Sequence, residues 1–165
     1  MHSPEIKKII DKYKLEAHPE GGYFKESYRS HDSFKSLPEP FNGDRNYSTA
    51  IYFLMPQGKK SSLHKIASDE VWHFYLGGPM TIYQISPDGA LEIITLGQDI
   101  LKGEKLQHVV PAGYWFGGHT NSGSDYSFVG CTVAPGFDFN DFVLADRTEL
   151  SKLFPQHIEV IEKLT

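Results

Sequence analysis

The chain has one cysteine, Cys131, among 165 residues, so no internal disulfide can form. It also has no apolar run long enough to span a bilayer and no secretory start. These absences lead us to expect a soluble, cytoplasmic protein that does not enter a membrane. Charge of one sign is not concentrated either. Charged residues make up 22% of the chain, the formal net charge is −5, and acids and bases alternate rather than forming blocks. A nucleic-acid partner is therefore not expected. No internal repeat, low-complexity tract or interdomain linker interrupts the sequence. The length suits one domain over 1–165, with a core at about 20–145 and terminal helices at about 4–14 and 147–164.

Aromatic residues, by contrast, are plentiful at 13%, and many of them stand beside glycine. That composition suits half-buried strands. Strand patterns bounded by turn residues recur at Tyr23 to Arg29, Thr49 to Leu54, Ser62 to Ile66, Glu70 to Leu76, Met80 to Ile85 and Leu91 to Leu96. They continue at Gln107 to Val110, Tyr114 to Phe116 and Tyr126 to Val133. His31 to Asn46, with Pro38, Pro40 and Gly43, reads as a long irregular loop. Ser3 and Pro4 open an amphipathic helix carrying Ile6, Ile9, Ile10 and Tyr13. Asp146 and Glu149 form a capping box ahead of Leu150 and Leu153. Many short strands framed by helices predict a sandwich or barrel rather than alternating β and α units.

The most informative stretch is Ser61 to Gly78. As two strands joined by a polar turn, it carries His64 on the first and Glu70, Trp72 and His73 on the second. Glu70, Trp72, Phe74 and Leu76 share one face there, and Val71, His73 and Tyr75 share the other. Both faces are largely apolar, which predicts a central strand covered on both sides. A carboxylate in such a strand must be paired, hydrogen-bonded or shifted in pKa. His64 and Glu70 are accordingly the candidate catalytic pair, a neutral imidazole oriented by the acid to remove a proton alpha to a carbonyl. Cys131, inside the apolar run Phe128 to Val133, reads as a buried thiol rather than a nucleophile. Arg29 and Arg45 read as solvated charges, with anion contacts as the alternative, and His119 as a residue of a glycine-rich turn.

Glu70 followed after six residues by Gly77, with His64 ahead of it, resembles the first motif of the cupin superfamily. Gly103 and Pro111-Ala112-Gly113 approximate the second, with Phe116 at its histidine position. The blocks HPEGGYF (His18 to Phe24), SDEVWHFY (Ser68 to Tyr75), LGQD (Leu96 to Asp99), QHVVPAGYW (Gln107 to Trp115) and CTVAPGFDF (Cys131 to Phe139) resemble the fifth cupin family, a domain of unknown function. The resemblance spans roughly residues 15 to 145. It implies a mainly β protein, a double-stranded jelly-roll β-barrel with short N- and C-terminal helices, forming a homodimer and binding a small polar molecule in the barrel mouth.

The branch is also similar to deoxysugar 3,5-epimerases and to seed storage cupins. Ser61 to His64 resembles the epimerase strand that carries the base histidine. Gly22 to Glu26 resembles the segment Arg-Gly-x-Phe-x-Glu, with glycine in place of the arginine that helps hold nucleotide phosphates. Three activities follow as expectations. The first is a metal-independent isomerase or epimerase acting on a sugar or nucleotide-sugar derivative. The second is a non-catalytic sensor or storage cupin. The third is a metal-dependent enzyme, whose divalent ion would find only His64 and Glu70 at matching positions, with Gln107 or His119 as further donors. Beyond the catalytic pair, the expected substrate-contacting residues are His73, Tyr75, Gln107, Trp115 and Phe116.

Overall fold

A computed structural model describes residues 3–165. In chain order its elements begin with α1 (Pro4–Tyr13), β1 (Glu16–Ala17), β2 (Tyr23–Arg29), β3 (Ser33–Leu37), β4 (Gly43–Asn46), β5 (Thr49–Pro56), β6 (Ser61–Lys65) and β7 (Asp69–Gly77). They continue with β8 (Met80–Ile85), β9 (Leu91–Leu96), β10 (Gln107–Val110), β11 (Trp115–Thr120), β12 (Tyr126–Ala134), β13 (Val143–Leu144), α2 (Arg147–Leu153) and α3 (Ile158–Leu164). Two antiparallel sheets face each other in a jelly-roll arrangement. One runs β1-β2-β5-β12-β7-β10 and the other β13-β6-β11-β8-β9.

The alternation of side chains along each strand sorts the apolar residues into three clusters. Between the sheets lie Phe53, Met55, Trp72, Met80, Ile82, Leu96, Val110, Phe116 and Val129. On the outer face of the six-stranded sheet, α1 covers Leu54, Tyr126 and Phe128, and the Tyr13 ring packs 4.8 Å from Tyr52. On the outer face of the five-stranded sheet, α2 and α3 bring Leu150, Phe154, Ile161 and Leu164 against Leu63, Tyr83 and Ile85. Each fully buried side chain of this size contributes about 1.5–3 kcal/mol. Asp146 caps α2 as its sequence suggests, accepting from the Glu149 N–H at 2.9 Å. Among the described residues one buried side-chain polar atom, Trp72 Nε1, has no hydrogen-bond partner; the rings of Phe53 and Phe116 stand nearly perpendicular to the indole.

Three sequence-based expectations change. The stretch 31–46 is not irregular: β3 and β4 pair as a separate hairpin, fixed by the Phe34–Tyr47 ring contact and the Lys35–Asp44 ion pair. Its prolines fall in the connection, where no ladder hydrogen bond is required. β11 runs on through Gly117, Gly118 and His119, because those glycines allow close approach: a Cβ on either would strike a neighbouring strand's carbonyl, Ser61 O or Thr81 O. Lastly, β7 lies next to the edge strand β10 and is covered on one face only; Tyr75 and Val109 on the other are 46% and 48% exposed.

Candidate functional site

The space between the sheets is filled with side chains at one end and open at the other. There, a cavity of about 400 Å³ is lined by strand residues including Phe24, Ile51, Phe53, His64, Glu70 and Cys131, and by the segment from Phe137 to Phe142. Phe137, Phe139 and Phe142 form an aromatic wall, with ring centroids 4.9–6.4 Å apart. The wall is anchored from outside. Arg45 and Asp141 form a buried two-pronged ion pair at 2.6 and 2.7 Å, and the Arg29 guanidinium donates to the Phe137 carbonyl at 3.1 Å. Arg45 is therefore a buried structural clamp, not a solvated charge, whereas Arg29 ties the wall while its side chain stays exposed to solvent.

His64 is fixed through both ring nitrogens. Nδ1 lies 2.7 Å from the Ser62 carbonyl and Nε2 lies 2.9 Å from Glu20 Oε2. A carbonyl only accepts, so Nδ1 carries a proton, and Nε2 meets a carboxylate. Burial opposes charge on either residue. Their mutual attraction and hydrogen bond outweigh it, raising the His64 pKa and lowering that of Glu20. The pair is an imidazolium and a carboxylate. Ser61 Oγ donates to the other Glu20 oxygen at 2.8 Å, and the Phe116 ring packs on the imidazole with centroids 4.1 Å apart.

Glu20 reaches this position from the turn His18-Pro19-Glu20-Gly21-Gly22. Gly21 and Gly22 both have positive φ, 115° and 73°, and the turn is tied to β6 by the Ser62 N–H donating to the Glu20 carbonyl at 2.8 Å. A Cβ at Gly21 would meet the Lys60 carbonyl oxygen, so no arginine fits there. The His18 ring, lowered in pKa by burial, is neutral; its Nδ1 accepts the Glu20 N–H at 3.2 Å.

Glu70 differs. Burial lifts its pKa to about 7, with His64 pulling down and Glu20 pushing up, and the Cys131 thiol donates to its carboxylate. Burial likewise raises the Cys131 thiol, which stays protonated and inert.

The expected oriented pair is thus corrected. His64 and Glu70 do line one cavity, but Glu20 holds the imidazole, which is neither neutral nor free to act as a base. Glu20 and His18 were missed because the sequence shows them only as part of a glycine-rich turn. A buried histidine's need for an acidic partner, together with an acid enclosed by turn glycines, was the available signal. Four of the five expected substrate-contacting residues also lie elsewhere. His73 and Gln107 bond each other on the outer face, at 3.0 Å between Gln107 Nε2 and His73 Nδ1, and His73 Nε2 bonds Thr132 Oγ1. Tyr75 sits at a register shift between β7 and β12, with its ring over Gly130, and so remains on the outer face. Trp115 packs beneath α2 and α3 with Lys65 over its ring. Phe116 faces inward but supports His64 rather than lining the cavity.

Nor do the residues fit a resident metal. Both His64 nitrogens are engaged, with Glu20 lying in the Nε2 direction that an ion would need. Gln107 pairs with His73, and His119 bonds Tyr83 and the Thr120 carbonyl. Among the described residues no group of three or more His, Cys, Asp or Glu is arranged to hold an ion.

The model of the family described as "Cupin superfamily (DUF985)" matches residues 7–145. The chain is a cupin. This cupin is 33% identical to an uncharacterized protein of Saccharomyces cerevisiae over 161 residues, covering 90% of this chain and 79% of that protein. The crystal structure of protein SO0799 from Shewanella oneidensis aligns with a TM-score of 0.88 at 39% identity, over 100% of this chain and 98% of that one. A hypothetical protein from Leishmania major aligns with a TM-score of 0.89 at 33% identity, over 96% and 97%. Oxalate decarboxylase of Bacillus subtilis shares the fold alone, with a TM-score of 0.55 at 15% identity over 90% of this chain and 37% of that one. Among the described residues no helix of the cupin is long and apolar enough to cross a membrane.

Proposed function

We propose that this cupin binds a small molecule in its cavity and moves a proton on it without a metal, as an isomerase or epimerase does, with Glu70 carrying the proton. The carrying observation is the Glu70 carboxyl, pushed up to about 7 by burial in an aromatic-walled cavity and bonded to a neutral thiol rather than to a cation. A group titrating near the working pH both accepts and returns a proton efficiently. His64, saturated by Glu20 and Ser62, supplies a fixed buried charge beside it. The reading also includes a homodimer, for which the exposed apolar outer face around Tyr75 and Val109 offers a surface.

The test is deuterium uptake from solvent into a panel of small carbonyl compounds, followed by NMR. Wild-type protein takes up the label at the carbon next to the carbonyl, and Glu70→Gln loses uptake while still binding the same compound. Binding without exchange in the wild type would instead establish a sensor or storage role, read as ligand-dependent thermal stabilisation alone.

A further inference from the structure

The charges around the cavity are unevenly committed. Its lining holds four acids, Glu20, Glu26, Glu70 and Asp138, and two cationic groups, His64 and Arg29. Both cations are spent on the protein. His64 donates to Glu20 and Ser62. At the mouth, Arg29 donates from Nε and Nη2 to the two Glu26 oxygens at 2.9 and 2.7 Å, from Nη1 to Asn46 Oδ1 at 2.8 Å, and from Nη2 to the Phe137 carbonyl. Guanidinium has five N–H groups, so this leaves Arg29 little to offer a ligand. Asp138 adds negative charge beside it.

An anion entering such a space would lose its hydration and find no free cation among the described residues of the lining, whereas its approach to Glu26, Asp138 and an ionised Glu70 is repulsive. A flat ring has the Phe137, Phe139 and Phe142 wall to lie against, and a cation gains from the ring faces as well as from the acids.

We propose that the cavity selects a flat, phosphate-free ligand of net charge zero or plus one against anions, and that Glu26 sets this selectivity by holding Arg29 away from the ligand. The inference rests on the cavity being a ligand site, but not on the proton transfer proposed above. It argues against a nucleotide-sugar as the molecule bound.

The test uses one ring at three charges: benzylammonium, benzamide and benzoate, titrated calorimetrically at pH 8 where all three charges are fixed. Wild-type protein should bind the first two at least tenfold more tightly than benzoate. Glu26→Gln frees the guanidinium and should raise benzoate affinity at least fivefold, and Arg29→Gln added to it should abolish the gain. Benzoate binding as tightly as benzamide in the wild type, a gain that survives the Arg29 change, or no binding by any of the three would each overturn the proposal. The two readings separate cleanly. A reversed charge order with Glu70-dependent exchange intact removes the selectivity alone, and the expected order without exchange removes the proton transfer alone.

Discussion

The two ends of the interlayer space use the same strands and contain opposite chemistry. Moving along β5, the inward residues pass from Thr49 and Ile51 to Phe53 and Met55. Along β12, read from the same end, they pass from Val133 and Cys131 to Val129, and along β7 from Glu70 to Trp72 and Phe74. At the second end Met80, Ile82 and Leu96 from the facing sheet complete a solid core. At the first, His64 and Glu20 face the same strands, and ionisable groups held by partners do not close over the space. Where β7 pairs with β12 the register is unbroken from Glu70 to Phe74, so along these strands the change from cavity to core is made by side-chain choice. This is why one fold can be packed shut at one end and left open, with ionisable groups, at the other.

The comparison can be broken most forcefully at His64. His64→Ala leaves Glu20 buried without its cation, which costs about 3–5 kcal/mol. Urea unfolding should show that cost at pH 7 and a smaller one at acid pH, where Glu20 takes up a proton. Leu96→Ala, at the filled end, should cost a comparable amount, about 2–5 kcal/mol, that does not vary with pH. Equal pH dependence in the two variants would erase the distinction drawn between the ends.

Glu70 gives a smaller effect of the opposite sign. It keeps its proton to about pH 7 in the fold but only to about 4.5 when unfolded, so between those values the native state binds more protons. Stability therefore falls as pH rises through this window, by up to about 3 kcal/mol, and the loss is complete above it. Glu70→Gln resembles the protonated form and escapes the loss. It should match the wild type at pH 4.5 and exceed it at pH 8 by a thermal-shift or urea measurement; no gain at pH 8 would mean that Glu70 is not held neutral.

The smallest effect concerns Cys131. Its hydrogen bond favours the Glu70 anion, so Cys131→Ala should push the Glu70 pKa further up by less than about one unit. The midpoint of the stability difference between this variant and its Glu70→Gln double should move to higher pH accordingly.

Much of the fold was legible because strand patterns depend on neighbours in sequence. Met80–Ile85, Leu91–Leu96 and Gln107–Val110 read correctly to the residue, since turn residues bound each one. The hairpin at 33–46 was hidden by prolines that a pairing between short strands tolerates at its tip, and β11 by glycines whose purpose is contact with other strands. At the site, alternation along β7 put Glu70 and Trp72 on one shared face, and the structure turns that face inward. The assignment of His73, Tyr75, Gln107 and Trp115 failed because sequence gives the parity of a strand but not which parity faces a cavity; Phe116 does face inward but packs on His64 instead of lining the space.

What the sequence determined by itself was local: where strands start and stop, which side chains share a face, and that an acid and an imidazole stand in apolar surroundings. Which acid grips that imidazole was decided only by the tertiary structure. A turn some forty residues earlier in the chain folds over the end of β6 and delivers Glu20 to His64 Nε2, leaving Glu70 without a cation of its own. Proton affinity inside a protein depends on distance and burial, and neither is written in the order of residues.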